Sequence, residues 1–330
     1  MKSEKERKYS VFLGNAGHCF DRYCPQYSSP FSIEELFQRV ATIDLIRGVD
    51  LVAAPDLMKN IPEVKDCLKK YGLKAVSIAA DTFTQAQWKQ GSLSSIDPVV
   101  RAAAMEHVEE TIALCHEVNC DMLTFWLGQD GYDYLFQSDY IAERENLIQS
   151  LKTICQKHPD ITVALEYKCK EPRNHCYINS AASALLFCSA VGEENCKVII
   201  DYGHALIGYE NPAESVSLLK QFGDKLCHIH INDNYRLWDD DMIVGSVHTL
   251  EYLEFFYWLR TTSYTGWMTI DQFPYREDGQ MAVAESAEWL NWLETLIDNA
   301  DFAEIQDVLK KKDAVESSRL MRKILQSGRG

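Results

Sequence analysis

Eight times along this chain a short β-rich run gives way to a longer helical pattern, and that rhythm restricts the fold more than any other feature. The runs are YSVFLGNAG (Tyr9 to Gly17), DLVAAP (Asp50 to Pro55), KAVSIAADTF (Lys74 to Phe83), DMLTFWLG (Asp121 to Gly128), ITVALEYK (Ile161 to Lys168), KVIIDYGHA (Lys197 to Ala205), LCHIHIND (Leu226 to Asp233) and WMTIDQF (Trp267 to Phe273). Between them, stretches such as SIEELFQRVATIDLI, DPVVRAAAMEHVEETIALCHEV, NSAASALLFCSAV and SVHTLEYLEFFYWLR carry apolar residues at helical spacing, with Ser, Asp or Asn near their starts. A strand and a helix recurring every 40 residues or so, about eight times, predict an α/β chain whose parallel sheet closes into a (β/α)8 TIM barrel. The competing arrangement, an open doubly wound sheet, lacks its GxGxxG turn after the first strand.

Residues 1–300 then form one catalytic barrel domain. From Asp301 to Gly330 the pattern FAEIQDVLKKKDAVESSRLMRKIL lies outside the barrel count. It predicts a C-terminal helical arm that packs on the barrel or on a neighbouring subunit, with a homo-oligomer, dimer or tetramer, as the expected assembly.

Composition narrows the partners. A formal net charge of -16 argues against nucleic acid and anionic membranes, which need clustered Lys and Arg. The eleven cysteines are odd in number, scattered and embedded in apolar segments, so they read as reduced thiols. No apolar segment follows MKSEKERKYS, and no run approaches the roughly 18 apolar residues of a membrane span. A soluble, cytoplasmic protein is expected.

In a barrel of this kind the chemistry sits at the C-terminal ends of the strands. There the last four strands place Glu166, Asp201, His230 and Asp271, each after an apolar run. Converging carboxylates repel one another unless a cation binds them, and an oxygen-rich set with one imidazole suits Mn²⁺, Mg²⁺ or Co²⁺. The WDDD run offers Asp239 and Asp241, which with His204 and a bridging Asp201 could hold a second ion. Taken alone, that run is a solvated turn. His228 shares the face of His230 but lies deeper, either as a site residue or as a hydrogen-bonded core histidine. Lys168 and Trp126 have equally plain readings as a neutralising charge and a core ring.

At these residues the sequence resembles the xylose isomerase-like superfamily, and within it the two-metal aldose isomerases. The xylose isomerase pattern EPKPNEPR is similar to Glu166 through Arg173, and FDxKPxRTED resembles Ile270 through Asp278. The W-D-x-D of L-rhamnose isomerases is echoed by Trp238, Asp239 and Asp241, their Asp-x-x-His by Asp201 and His204, and a strand-four tryptophan by Trp126. The resemblance covers residues 9 to 297.

It implies a small-molecule sugar as substrate, with Glu166, Asp201, His230 and Asp271 holding a structural metal. His204, Asp239, Asp241 and Asp201 would hold a catalytic one, and Lys168 would act as electrophile beside the carbonyl oxygen. The implied reaction is aldose–ketose interconversion by a metal-mediated hydride shift. Trp126, Phe83, Trp88 and Tyr132 would wall the sugar, and the loop from Gly128 to Asp133 would contact its hydroxyls. The family's early-strand histidine is missing; Asp81 ends strand three, and His18 after strand one is a substitute. A ketose 3-epimerase, a lyase such as a C-glycoside-cleaving subunit, a phosphodiesterase and a catalytically silent barrel compete with this reading.

Overall fold

A computed structural model describes residues 7–327 apart from residues 22 and 25. Eight strands close into a parallel barrel in sequence order. They are β1 (Tyr9–Phe12), β2 (Ile46–Val52), β3 (Lys74–Ala79), β4 (Met122–Trp126), β5 (Thr162–Glu166), β6 (Cys196–Asp201), β7 (Leu226–Ile231) and β8 (Met268–Ile270). Buried Val, Ile and Leu such as Val11, Val49, Ile78, Leu123, Val163, Val198, Ile229 and Ile270 alternate along the strands with the residues that face the barrel interior, and pack under the outer helices. Strands covered on both faces by barrel core and outer helices need such continuous apolar runs.

All eight expected strands are present, and the differences lie at their ends. The second starts at Ile46, which already pairs with Tyr9 of the first strand and is buried, as is Val49, on either side of the exposed Arg47. The tail of the first run winds into a 3₁₀ turn, Leu13–Ala16. The tail of the sixth becomes the helix Tyr202–Ile207, because the Asp201 carboxylate accepts the His204 amide at 2.8 Å and caps it.

The outer helices start where side chains satisfy their free amides. Ser32 forms a capping box with Glu35 before Ile33–Ala41, Ser180 does so with Ser183 before Ala181–Val191, and Asp97, Asp139 and Asp278 cap three more. No described helix is long and apolar enough to cross a membrane. Beyond the barrel, helices Phe302–Lys311 and Ala314–Ser327 pack on Thr249–Thr261 and Gly279–Asp298, leaving a groove of about 460 Å³ lined by Tyr257, Ile305, Leu320 and Met321.

At the base of the barrel, the Tyr9 hydroxyl donates to Glu294, which is 2% exposed and also pairs with Arg260 and with Arg7 at 3.2 Å. Arg260 holds Asp298 as well, at 2.7 Å. This cluster ties β1 to the last two barrel helices. Removing one partner of a buried pair leaves an uncompensated charge. Arg260→Leu is therefore expected to lower the unfolding free energy by about 3 kcal/mol in urea titrations. A loss under about 1 kcal/mol would show that Arg7 alone neutralises Glu294.

Candidate metal centre

Strand register brings the acidic residues together. Asp201 lies opposite His230, and Trp126 opposite Glu166, at the C-terminal ends of adjacent strands. Asp271 follows β8 directly. One ligand atom from each of Glu166, Asp201, His230 and Asp271 falls within 4.8 Å of the others. Glu166, Asp201 and His230 are buried and Asp271 is half-buried. Asn15, from the turn after β1, steadies Asp271 at 3.4 Å and donates to the Gln272 carbonyl, closing the first strand onto the last at the mouth.

The electrostatics are those of a crowded anion. Burial raises the Asp271 carboxyl, and Asp201 and Glu166 raise it further, to about 7. Burial would lower His230, but Glu166 and Asp271 draw it up to about 9. Burial also works against an ionised Glu166, yet the His230 charge and a His204 hydrogen bond hold it well below the usual range. Neither ring nitrogen of His230 makes a hydrogen bond with acceptable geometry, although Nδ1 lies 3.2 Å from Glu166. Three carboxylates, a buried imidazole without a hydrogen-bond partner, and charges balanced only by protons fit a divalent cation.

The second expected set behaves differently. The His204 Nδ1 faces the Tyr167 carbonyl at 3.1 Å, which leaves Nε2 against Asp239 at 3.0 Å. Lys168 binds the same Asp239 oxygen at 2.8 Å and Glu171 at 2.8 Å. Burial disfavours both cations, but Asp201 and Asp239 raise His204, and Asp239 and Glu171 raise Lys168. Asp241 is half-buried, its carboxyl raised by burial and then by Asp239 and Asp271. Among the described residues, Asp201, His204 and Asp239 form a chain of contacts, and together with Asp241 they do not close on one point as the first four do. A proton and an ammonium already balance Asp239.

The remaining expected residues separate into wall and frame. The Phe83 ring meets Trp126 edge-on at 4.7 Å, and Lys168 stands 5.2 Å over the Trp126 face. The Trp126 indole nitrogen is buried without a hydrogen-bond partner. His228 requires correction as a sugar contact: it is wholly buried below the cluster, its Nε2 3.1 Å from Asp50 and 2.8 Å from Thr269. With Ser77 and Ser10 these groups form an internal polar network. Asp81 likewise serves its own turn, accepting the Thr84 amide at 3.0 Å and hydroxyl at 2.5 Å.

Trp88 is core, its indole donating to the Asp81 carbonyl. Tyr132 stacks on His175 at 4.7 Å, in a two-residue ribbon, and His18 stacks on Phe31 at 5.3 Å. The carboxylates of the loop after β4 are also engaged, Asp130 by Ser92 and Ser94, Asp133 by Arg173 at 2.5 Å. Sequence reasoning missed Asp50, Asn15, Glu171, Asn232 and Asn234. A polar residue amid the apolar DLVAA run was the available signal for Asp50.

The raised groups set a pH dependence. Asp271 and His230 sit above their ordinary values of 3.8 and 6.5, so each adds stability that is complete at low pH. That stability is lost as pH rises, from about 4 to 7 for Asp271 and from about 6.5 to 9 for His230. Chelator-treated protein is expected to melt at lower temperature at pH 9 than at pH 7, with excess Mn²⁺ restoring more at pH 9. An equal Mn²⁺ effect at both values would sever the ion from these residues.

Comparisons with known proteins bear on the fold and the family. A xylose isomerase of Dinoroseobacter shibae is 26% identical over 174 residues, covering 51% of this chain and 40% of that protein. The Bacillus subtilis xylose isomerase is 25% identical over 185 residues, 54% of this chain and 41% of its own length. The matched stretches thus span less than half of those relatives. Among solved structures, the apo 3-keto-D-glucoside 4-epimerase of E. coli aligns with a TM-score of 0.67 at 21% identity, over 86% of this chain and 99% of that one. A D-psicose 3-epimerase of Clostridium cellulolyticum H10, solved with D-tagatose, has a TM-score of 0.67 at 15% identity, over 87% and 99%. The family model described as xylose isomerase-like TIM barrel matches residues 40–293, and the chain belongs to that family.

Proposed function

We propose that the protein is a divalent-metal-dependent isomerase that interconverts an aldose and its ketose. The observation that carries this reading is Lys168, a buried ammonium two residues beyond Glu166, fixed at 2.8 Å from Asp239 and Glu171 and set over the Trp126 ring. Glu166, Asp201, His230 and Asp271 would hold the ion. A bound Mn²⁺, Mg²⁺ or Co²⁺ would polarise the neighbouring carbonyl and hydroxyl oxygens of an open-chain sugar.

The chain supplies the rest. Lys168 donates to the carbonyl oxygen and stabilises the alkoxide that develops as hydrogen moves between C1 and C2; one such donor contributes about 3 kcal/mol. The His204 and Asp239 pair shares a proton across 3.0 Å and can exchange it with a sugar hydroxyl. Trp126 and Phe83 exclude water, and the unpartnered Trp126 indole offers a donor to a hydroxyl. A second ion would have to displace the Lys168 ammonium or the His204 proton from Asp239.

An unphosphorylated sugar fits best. Arg173 is buried and spent on Asp133, Gln90 and the carbonyls of Lys89 and Gln129. Arg276 points to Tyr27 and Asp21.

One observation favours a ketose 3-epimerase as second reading. Glu166 is held ionised while neighbouring Asp271 is raised to about 7, and two carboxyls pushed apart in this way suit a base and an acid. Incubation with Mn²⁺ in D₂O separates the readings. An isomerase working by hydride shift keeps a deuterium placed at C2 of the aldose, moving it to C1; solvent exchange at C3 of a ketose would replace this proposal with the epimerase. Lys168→Gln is expected to lower kcat by about a hundredfold or more while Mn²⁺ affinity stays within severalfold. Unchanged turnover would remove Lys168 from the chemistry.

A further inference from the structure

The segment Asn232-Asp233-Asn234 leaves β7 beside the acidic cluster, and all three residues are fully buried. The Asn232 amide nitrogen lies 3.2 Å from Asp201 Oδ2 and 3.3 Å from Asp241 Oδ1, so one side chain reaches both the four-residue cluster and the WDDD loop. The Asn234 amide nitrogen donates to the Gly203 carbonyl at 3.0 Å and reaches Asp239 at 3.5 Å. Asp233 exchanges both backbone hydrogen bonds with Met242, at 3.1 and 2.7 Å, which closes residues 233–242 into a ring. Its carboxylate accepts the Val247 and His248 amides and pairs with the His248 ring at 2.7 Å.

This ring is strained. Arg236 (φ 66°) and Asp241 (φ 46°) both adopt the left-handed conformation, which costs on the order of 1 kcal/mol for a residue with a side chain. Something must therefore hold Asp241 where it is. Gly203, in the helix capped by Asp201, reveals what does: a Cβ there would lie 2.0 Å from Asn232 Oδ1 and 2.9 Å from Asn234 Nδ2. The Asn232 amide occupies the space a side chain at residue 203 would take.

We propose that Asn232 is a positioning residue that joins the two carboxylate groups of the site, with Gly203 leaving room for its amide. It fixes Asp241, and the loop carrying Asp239, against Asp201. The inference rests on the metal-binding reading of the cluster and adds residues that reading did not require. Asn232 touches two carboxylates and acts through them.

The test is a double-mutant cycle on Mn²⁺ affinity, measured by titration calorimetry on wild type, Gly203→Ala, Asn232→Ala and the double variant, each with its Tm. Each single change is expected to weaken Mn²⁺ binding about tenfold or more. The double variant should bind no worse than Asn232→Ala alone, because the 2.0 Å clash is then gone and the added methyl meets only the Asn234 amide end at 2.9 Å. Singles that bind like wild type, or losses that multiply, would overturn the positioning role. If Asn232→Ala fails to fold, Asn232→Ser takes its place in the cycle. Absence of Mn²⁺ binding by the wild type would strike at the metal reading first, a result separate from the behaviour of the cycle.

Discussion

Charge crowding at the barrel mouth governs this molecule. Glu166, Asp201, Asp239, Asp241 and Asp271 share one end of the barrel, where Lys168, His204 and His230 supply compensating charge. In a medium with little water, like charges at these separations interact by several kcal/mol, so the carboxylates take up protons or gain a cation. The raised Asp271 and His230 record the first solution. A divalent cation is the second.

The same residues also serve the fold. Asp201 both belongs to the cluster and caps the helix Tyr202–Ile207, and that cap brings His204 one turn onward to face Asp239. Asn15 links the first turn to Asp271, so the closure of β1 against β8 and the placing of a candidate ligand are one event. Below, His228, Thr269 and Ser77 hydrogen-bond the buried Asp50 in an internal polar network, which a buried carboxylate requires, although the His228 Nδ1 itself has no partner.

Much of the fold was legible because it repeats. Buried parallel strands write themselves as Val- and Ile-rich runs, and Ser32, Asp97 and Ser180 mark helix starts by filling free amides. The convergence of Glu166, Asp201, His230 and Asp271 was legible for the same reason, since each follows a core run at the same place in its unit. Strand ends were less so: the DYGHA tail carries the residues of a strand until the Asp201 side chain turns it into a helix.

Partners set by tertiary geometry were not legible at all. Nothing in the local sequence says that Asp133 is taken by Arg173 forty residues on, or that Lys168 rests on Asp239. His228 shows the limit of strand periodicity, which assigns a face and leaves depth undetermined. Nor does the sequence single out Asn232, since an asparagine after a strand ordinarily marks a turn.

The four clustered residues all come from β5 to β8, whereas β1 to β4 contribute Trp126, Phe83 and the interior support of Asp50. The clustered carboxylates and the aromatic wall are thereby written in different halves of the gene. A change of loop length in the amino-terminal half therefore alters the aromatic wall and leaves the spacing of the four clustered residues in place.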